Sequence, residues 1–529
     1  MEKGQFVELR IDDMTVDGQG LGRMPEGPAV FVRGAVIGDV VSAKLTKIKR
    51  RYALGKLEKV IEASEHRREG FCDLQEECGG CPYGKLTYEM QAALKEKHVK
   101  DALIRIAGIE FPKVNEIVKN PVEFGYRNKA VMPIWTGGII TRKGGIVENL
   151  GEPSIGFYKA KSHEVVDCHV CMLQPEPVRA VSEAVRTFMK ADNITAYDPK
   201  WEKGLMRSVT VRTTPGTGEV MVIFVINGKG IPNAQKLIDM LDEAVCKSGY
   251  LLESVILNIN RNKKETYGER NITLAGKPTI KETAGGMEFE ISPLSFFQVN
   301  TAQMEKLYDL IADYAKLSGG ETILDLYCGA GTIGLWLLNS LRHRMKNGDV
   351  SEKAFSDTRV IGIESSKSSI LDANRNAVIN GFVNARYVRG KSEEELPKLM
   401  GEALLKDEAL RVKAADLVIL DPPRSGCREE LLKTVSDACP EKIVYVSCDP
   451  ATMARDIKLL AKRGYAFVEA TPVDMFSWTG HVESIVLLSH KSPDSHIDVK
   501  VEFGEGEEKV PLDKIAERAK QYQPAPRVT

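Results

Sequence analysis

The sequence predicts a multidomain α/β protein. A small OB-like β-barrel over residues 1–62 leads into a central α+β region over 63–315, and a Rossmann-like doubly wound sheet follows over 316–490. Three observations predict this. The first sixty residues read as short strands cut by Gly18, Gly20, Gly22, Gly27, Gly34 and Gly38, the rhythm of a small closed barrel. Cys72, Cys78 and Cys81 crowd into C-x5-C-G-G-C early in the central region. Beyond 316, apolar runs at 322–327, 360–364, 385–389, 417–421, 443–447, 466–473 and 484–489 alternate with helical stretches, the pattern of an open sheet with helices on both faces.

A length of 529 residues suits about three domains. The 43% hydrophobic and 28% charged content is that of a soluble globular chain. No apolar run is long enough for a membrane span, and MEKGQFVELR has no apolar signal core. Ten scattered cysteines in so long a chain suggest the reducing cytoplasm. No obligate protein partner is evident. The net charge of −1 means that any nucleic-acid affinity must come from local patches.

The barrel offers such a patch. Strands are predicted at 6–11, 29–32, 39–45 and 53–61, and Lys44, Lys47, Lys49, Arg50, Arg51 and Lys56 form a basic run containing Tyr52. Cations beside an aromatic suit RNA phosphates and bases. Lysines guarding a solvated edge strand are the plainer alternative.

The cysteines admit two metals. Cys78 and Cys81 with Cys168 and Cys171 make CxxC…CxxC, which suits tetrahedral zinc but leaves Cys72 unused. Cys72, Cys78, Cys81 and one later cysteine could instead hold a [4Fe–4S] cluster, which takes four thiolates. Apolar spacing over 86–106 predicts an amphipathic helix packed on this cluster. Residues 120–315 read as β-rich and linker-like, with a hairpin joining 208–212 to 219–225 and a strand at 254–259. Tyr126-Arg127-Asn128-Lys129 could touch RNA or form an ordinary loop. Before a helix at 301–316, the segment FFQVN places Gln298 within reach of the next strand's turn, while Phe296 and Phe297 read as core.

That turn is the centre of the chain. In ETILDLYCGAGTIG a strand ends at Tyr327, and Gly329, Gly331 and Gly334 fit GxGxxG. Glycines let backbone approach a nucleotide at a strand's carboxyl end. Glu364 ends the following strand, where an acid accepts ribose hydroxyls. Asp421-Pro422-Pro423-Arg424 is a rigid loop at another strand end, holding Asp421 near any bound adenosine. Cys448, in SCDP, ends the next strand as a candidate nucleophile. Glu483 opens the last strand, in apolar surroundings that raise a carboxyl's pKa and suit a proton acceptor. The segments 341–357 and 391–413 read as dispensable, solvated insertions.

A methyl-donor site, a cysteine and a base are what C5 methylation of uracil needs. A thiolate adding to C6 makes C5 nucleophilic, and a base then removes the C5 proton. Taken together, C-x5-CGGC, DPPR, SCDP and GHVES resemble the iron–sulfur RNA (uracil-5-)-methyltransferases, most closely the bacterial 23S rRNA enzymes, over roughly residues 1–490. The resemblance implies a TRAM barrel and a class I S-adenosyl-L-methionine (SAM) methyltransferase domain. It implies a [4Fe–4S] cluster on Cys72, Cys78, Cys81 and Cys168, the last matching better than Cys171. It implies SAM contacts from Gln298, Tyr327, Glu364 and Asp421, with Cys448 as nucleophile and Glu483 as base. Asp449 stands where the family often has Asn. The tail over 491–529 lies outside the resemblance. The alternatives are transfer RNA as substrate, an NAD-dependent oxidoreductase built on GxGxxG, and a non-catalytic RNA-binding module.

Overall fold

Strict alternation builds the N-terminal barrel. In Phe6–Met14, Val7, Leu9 and Ile11 are buried while Phe6, Glu8 and Arg10 face out. The strands Gln19–Arg23, Ala29–Arg33, Val40–Ile48 and Tyr52–Glu62 complete a closed five-stranded barrel, and closure leaves no free sheet edge. Gly20 is required by packing: a Cβ there would lie 2.9 Å from both the Ala35 carbonyl and the Ile11 side chain. The buried Asp39 accepts from the Ser64 N–H at 3.0 Å and pairs with Arg67, tying the barrel to the cysteine loop. The computed structural model describes residues 2–24, 27–141, 147–401 and 407–490. The tail expected over 491–529 lies outside them.

The helix predicted over 86–106 runs from Tyr88 to Ala102 and ends in a π-turn, Leu103–Ala107. It does not pack chiefly on the cysteines. Ala92, Val99 and Leu103 enter the core of the C-terminal sheet. Leu94 joins Met14, Tyr83 and Leu86 against the barrel. The reason is a helix apolar on two sides, with even Gln91 and Lys95 fully buried. The chain after it pairs with the far end of the sequence: Asn115 N–H donates to the Ala470 carbonyl and Val118 N–H to that of Pro472. Segment 113–118 thereby covers part of an outer strand of the C-terminal sheet.

The region read as linker-like is a seven-stranded sheet in the order Val165–Asp167, Ser154–Tyr158, Lys129–Trp135, Met206–Thr214, Glu219–Ile226, Leu251–Ile259, Arg270–Gly276. The hairpin expected at 208–225 is its centre. Helices Glu176–Ala191 and Ala234–Lys247 cover one face through Val181, Val185, Phe188, Leu237 and Leu241. Met221, Ile223 and Ile256, on the other face, join the core of the C-terminal sheet.

That C-terminal sheet has the order Ala385–Arg389, Arg359–Glu364, Thr322–Leu326, Leu417–Leu420, Lys442–Ser447, Glu483–His490, Tyr465–Val473. Six of the seven strands run in one direction, and Glu483–His490 alone runs antiparallel, between Lys442–Ser447 and Tyr465–Val473. The order reverses beside Thr322–Leu326, the point where such sheets open a crevice. The segments read as solvated insertions are solvated only in part. Leu341, Val350, Leu396 and Leu399 are each at most 6% exposed, because helices Thr332–Lys346 and Ser392–Met400 turn apolar faces to the sheet. Residues 402–406 of the second segment lie outside the described residues. Among the described residues, no helix is long and apolar enough to cross a membrane.

Candidate active site

Strand Thr322–Leu326 ends in a tight turn with three left-handed residues, two of them glycines. Tyr327, Gly329 and Gly331 take φ of +63°, +55° and +76°, left-handed values, and the chain then enters helix Thr332–Lys346. A Cβ on Gly331 would meet the Tyr387 hydroxyl at 2.5 Å, and one on Gly334 the Val360 side chain at 2.7 Å. At Gly329 the nearest atom, on Phe296, is 4.0 Å away, so this glycine borders open space. Phe297 is core as expected, but Phe296 is 58% exposed beside that space.

Acids gather beneath and beside the turn. Asp325, fully buried, accepts from the Gly334 N–H at 3.0 Å, while its Oδ1 has no hydrogen-bond partner among the described residues. Burial pushes Asp325 up to about 7. Glu364 accepts from the Gly329 N–H at 3.3 Å and the Ser366 N–H at 2.7 Å, so the predicted ribose acid is anchored to the turn itself. Asp421 ends Leu417–Leu420 and is pushed up to about 7 by burial, then by the charge of Asp325. Sequence reasoning missed Asp325, whose position inside an apolar strand was the available signal.

Gln298 is buried, with its side chain near the Tyr308 hydroxyl. Its carbonyl accepts from Asn128 Nδ2 at 2.8 Å, and the Asn128 N–H donates to Val299. Tyr126 donates its hydroxyl to the Ser477 carbonyl at 3.0 Å. Two of the four residues read as a possible RNA contact are therefore scaffolding for the site. Tyr327 differs from expectation in direction. Its hydroxyl meets the Cys427 sulfur, and its ring packs into the core of the sheet. The positive φ breaks strand alternation, so only its backbone lines the turn.

The nucleophile and base candidates converge with Asp421 and Arg424. Glu483, 6% exposed, is pushed up to about 8 by burial, then by Asp421, with Arg424 opposing. The Cys448 thiol is pushed up to about 11 by burial and by Glu483, while a hydrogen bond from Arg424 draws it down. Arg424 Nη2 also lies 3.5 Å from His481 Nε2. Burial and Arg424 press His481 down to about 4, so the ring is neutral at pH 7. Sequence reasoning gave Arg424 no role. A cation fixed by two prolines at a strand's carboxyl end was the signal. Cys448, Arg424 and His481 line a cavity of about 400 Å³. Arg424 and His481 also border a groove of about 830 Å³ that passes Arg127 and Cys78 to Gly18 and Arg33 of the barrel.

The loop before Glu483 is braced from several sides. Asp474 pairs with Lys95 at 2.5 Å, both side chains fully buried, and accepts from the Tyr88 hydroxyl at 2.9 Å. Trp478, with φ +68°, receives Gln91 Oε1 at its N–H and stacks on Phe124. That aromatic cluster includes Phe71, Cys81 and Cys171.

All five cysteines of the cluster line one small cavity: Cys72, Cys78, Cys81, Cys168 and Cys171, with Arg127 in its wall. The Cys168 thiol donates to the Val170 carbonyl at 3.4 Å; neighbouring Cys168 draws Cys171 down, whereas burial raises Cys72, Cys78 and Cys81. Among the described residues, no three His, Cys, Asp or Glu side chains group as a single metal ion needs.

Residues 277–491 match the tRNA (Uracil-5-)-methyltransferase family, and residues 1–57 match the TRAM domain. An uncharacterized RNA methyltransferase of Caldanaerobacter subterraneus subsp. tengcongensis is 39% identical over 92% of this chain and 98% of its own. One from Clostridium acetobutylicum is 36% identical over 92% and 98%. The crystal structure of Pyrococcus abyssi tRNA (uracil-54, C5)-methyltransferase with S-adenosyl-L-homocysteine covers 91% of this chain and 100% of its own, at 28% identity and a TM-score of 0.65. The glycine turn, the strand-end acids and the Cys448–Glu483 pair thus stand in a chain that belongs to the RNA (uracil-5-)-methyltransferase family.

Proposed function

We propose that this protein forms 5-methyluridine in 23S ribosomal RNA, using SAM and a covalent Cys448–uracil adduct. The observation that carries the reading is the meeting of Cys448, Arg424, Asp421 and Glu483 at neighbouring strand ends beside the glycine turn. Bound SAM supplies an electrophilic methyl group. Gln298, Glu364, Asp421 and the backbone at Tyr327, Gly329 and Gly331 hold it. The target uridine leaves its stack to reach this site. Arg424 favours the Cys448 thiolate, which adds to C6 and pushes electron density to C5. After C5 is methylated, Glu483 takes the C5 proton and the Cys448–C6 bond breaks.

A [4Fe–4S] cluster would be held by Cys72, Cys78, Cys81 and Cys168. The all-sulfur donor set supports it, and Cys72 facing the same cavity as the other four favours it over zinc. The reaction transfers no electrons, so these residues serve architecture.

A transfer RNA uridine is the second reading, favoured by the solved relative that acts on tRNA. Mapping 5-methyluridine in ribosomal and transfer RNA, from cells with and without the protein, decides between them. Loss from 23S rRNA alone is the expected result. RNA carrying 5-fluorouridine should trap a covalent complex with the protein, and no complex forming would sink the adduct mechanism.

A further inference from the structure

We propose that the outer end of the central sheet carries a stacking platform for single-stranded RNA. It is built on Tyr158, Trp201 and Arg207, whose guanidinium is backed by the buried Tyr197 ring, and it holds the strand that flanks the modified nucleotide. The identity of the occupant rests on the RNA reading above. Tyr158 and Trp201 are 47% and 59% exposed, costly positions for large aromatic surfaces, although Tyr158 meets His163 edge-on at 5.5 Å. The Arg207 guanidinium lies 4.7 Å over the Tyr197 ring and is fixed by the carbonyls of Asn260 and Asn262, each at 3.0 Å. Lys200 lies 5.1 Å over Trp201. Strands Ser154–Tyr158 and Met206–Thr214 flank Lys129–Trp135 in the sheet, and Lys263, in the loop that holds Arg207, pairs with Glu202 at 2.6 Å, so the sheet and these loops join the two aromatic sites.

The charge of that surface is unbalanced. Lys200, Lys203, Arg261 and Lys264 are exposed and have no acidic partner among the described residues. Free cations around open aromatic faces are what a single strand needs: phosphates meet the cations and unstacked bases meet the rings. A paired helix would hide its bases from those rings. Continuity points the same way. Two residues after Tyr158, Ala160 and Lys161 line the groove that runs to Arg424 and His481. A strand leaving the active site along that groove reaches Tyr158 first.

Fluorescence tests the proposal on the full-length protein: of its four tryptophans, Trp336 and Trp478 are buried at 5% and 0% exposure and Trp135 is half-buried in its strand, whereas Trp201 is open. Single-stranded oligouridylate should quench the emission, and an RNA duplex of equal length should quench it less. Trp201→Phe should abolish most of the quenching. The double variant Tyr158→Ala/Trp201→Ala should bind oligouridylate about tenfold or more weakly, with an unchanged melting temperature. Undiminished quenching in Trp201→Phe, equal quenching by duplex, or wild-type affinity in the double variant would overturn the platform. If wild-type protein methylates no RNA, the methyltransferase reading fails, and the quenching results still judge the platform by themselves.

Discussion

Glu483 shows how one carboxyl can be both buried and useful. Folding lifts it to about 8, so below that pH it holds a proton and cannot accept another. The methylation rate should therefore rise between pH 6 and 9. The high thiol of Cys448 acts in the same direction; a rate flat or falling over that range removes Glu483 as the base. Glu483→Gln keeps the shape and loses the acceptor. Turnover should fall at least about a hundredfold, and a covalent methylated adduct should accumulate, visible by denaturing gel and mass spectrometry. Wild-type turnover in that variant would mean another group is the base. Asp325 and Asp421, both raised to about 7, also hold protons at neutrality, and a sulfonium cation beside them favours their charged forms. SAM binding should release protons near pH 7, and affinity should climb with pH; calorimetry in buffers of different ionisation enthalpy reads both. Motifs at strand ends were legible because a strand's carboxyl end fixes where a side chain emerges. Arg424 and Asp325 were not, since their roles lie in partners distant along the chain. Which way the Tyr327 side chain leaves the turn was not legible either, because it depends on one positive φ.

At the scale of elements, the loop between Tyr465–Val473 and Glu483–His490 depends on a helix from the other end of the chain. The Lys95–Asp474 pair is fully buried. Lys95→Met leaves a buried carboxylate unpaired and should cost about 3–5 kcal/mol of stability. A denaturant melt measures the loss, and an unchanged midpoint would show that the brace is ornamental. The cysteine cavity gives a second element-scale expectation. Anaerobically purified protein should be brown, with about four irons per chain. Cys168→Ser should lose the iron while Cys171→Ser keeps it; the reverse outcome moves the fourth ligand to Cys171. The barrel and the alternating strands of the C-terminal sheet were legible because period-2 and apolar-run patterns are local. The central sheet was legible only in part: the hairpin over 208–225 and the strand over 254–259 were expected, whereas Lys129–Trp135, Ser154–Tyr158, Val165–Asp167 and Arg270–Gly276 were not, because strands this short or this polar are set by partners distant along the chain. The helix Tyr88–Ala102 was legible as a helix, but the two surfaces it joins were not.

For the whole molecule, RNA affinity has to come from regional charge, since the chain as a whole is near neutral. Lys47, Lys49, Arg50 and Arg51 sit exposed at the barrel's tip beside Tyr52. Changing all four to glutamine should weaken unrelated RNAs about equally and flatten the salt dependence by roughly one phosphate contact per residue. Unchanged salt slopes would make the run a guard for the strand edge. One feature bears on how the molecule comes to exist. Asn115 bonds Glu469 across 354 residues of sequence, and Lys95 waits for Asp474 from a similar distance. On a ribosome adding roughly 5–20 residues per second, the first halves of these contacts emerge on the order of half a minute before the second. Through that interval the helix that will carry the base loop holds a buried-to-be lysine with nothing to meet. The N-terminal third is thus a client in need of shelter during synthesis, and a nascent chain halted after residue 316 should be cut by protease near segment 113–118, while the finished chain is not.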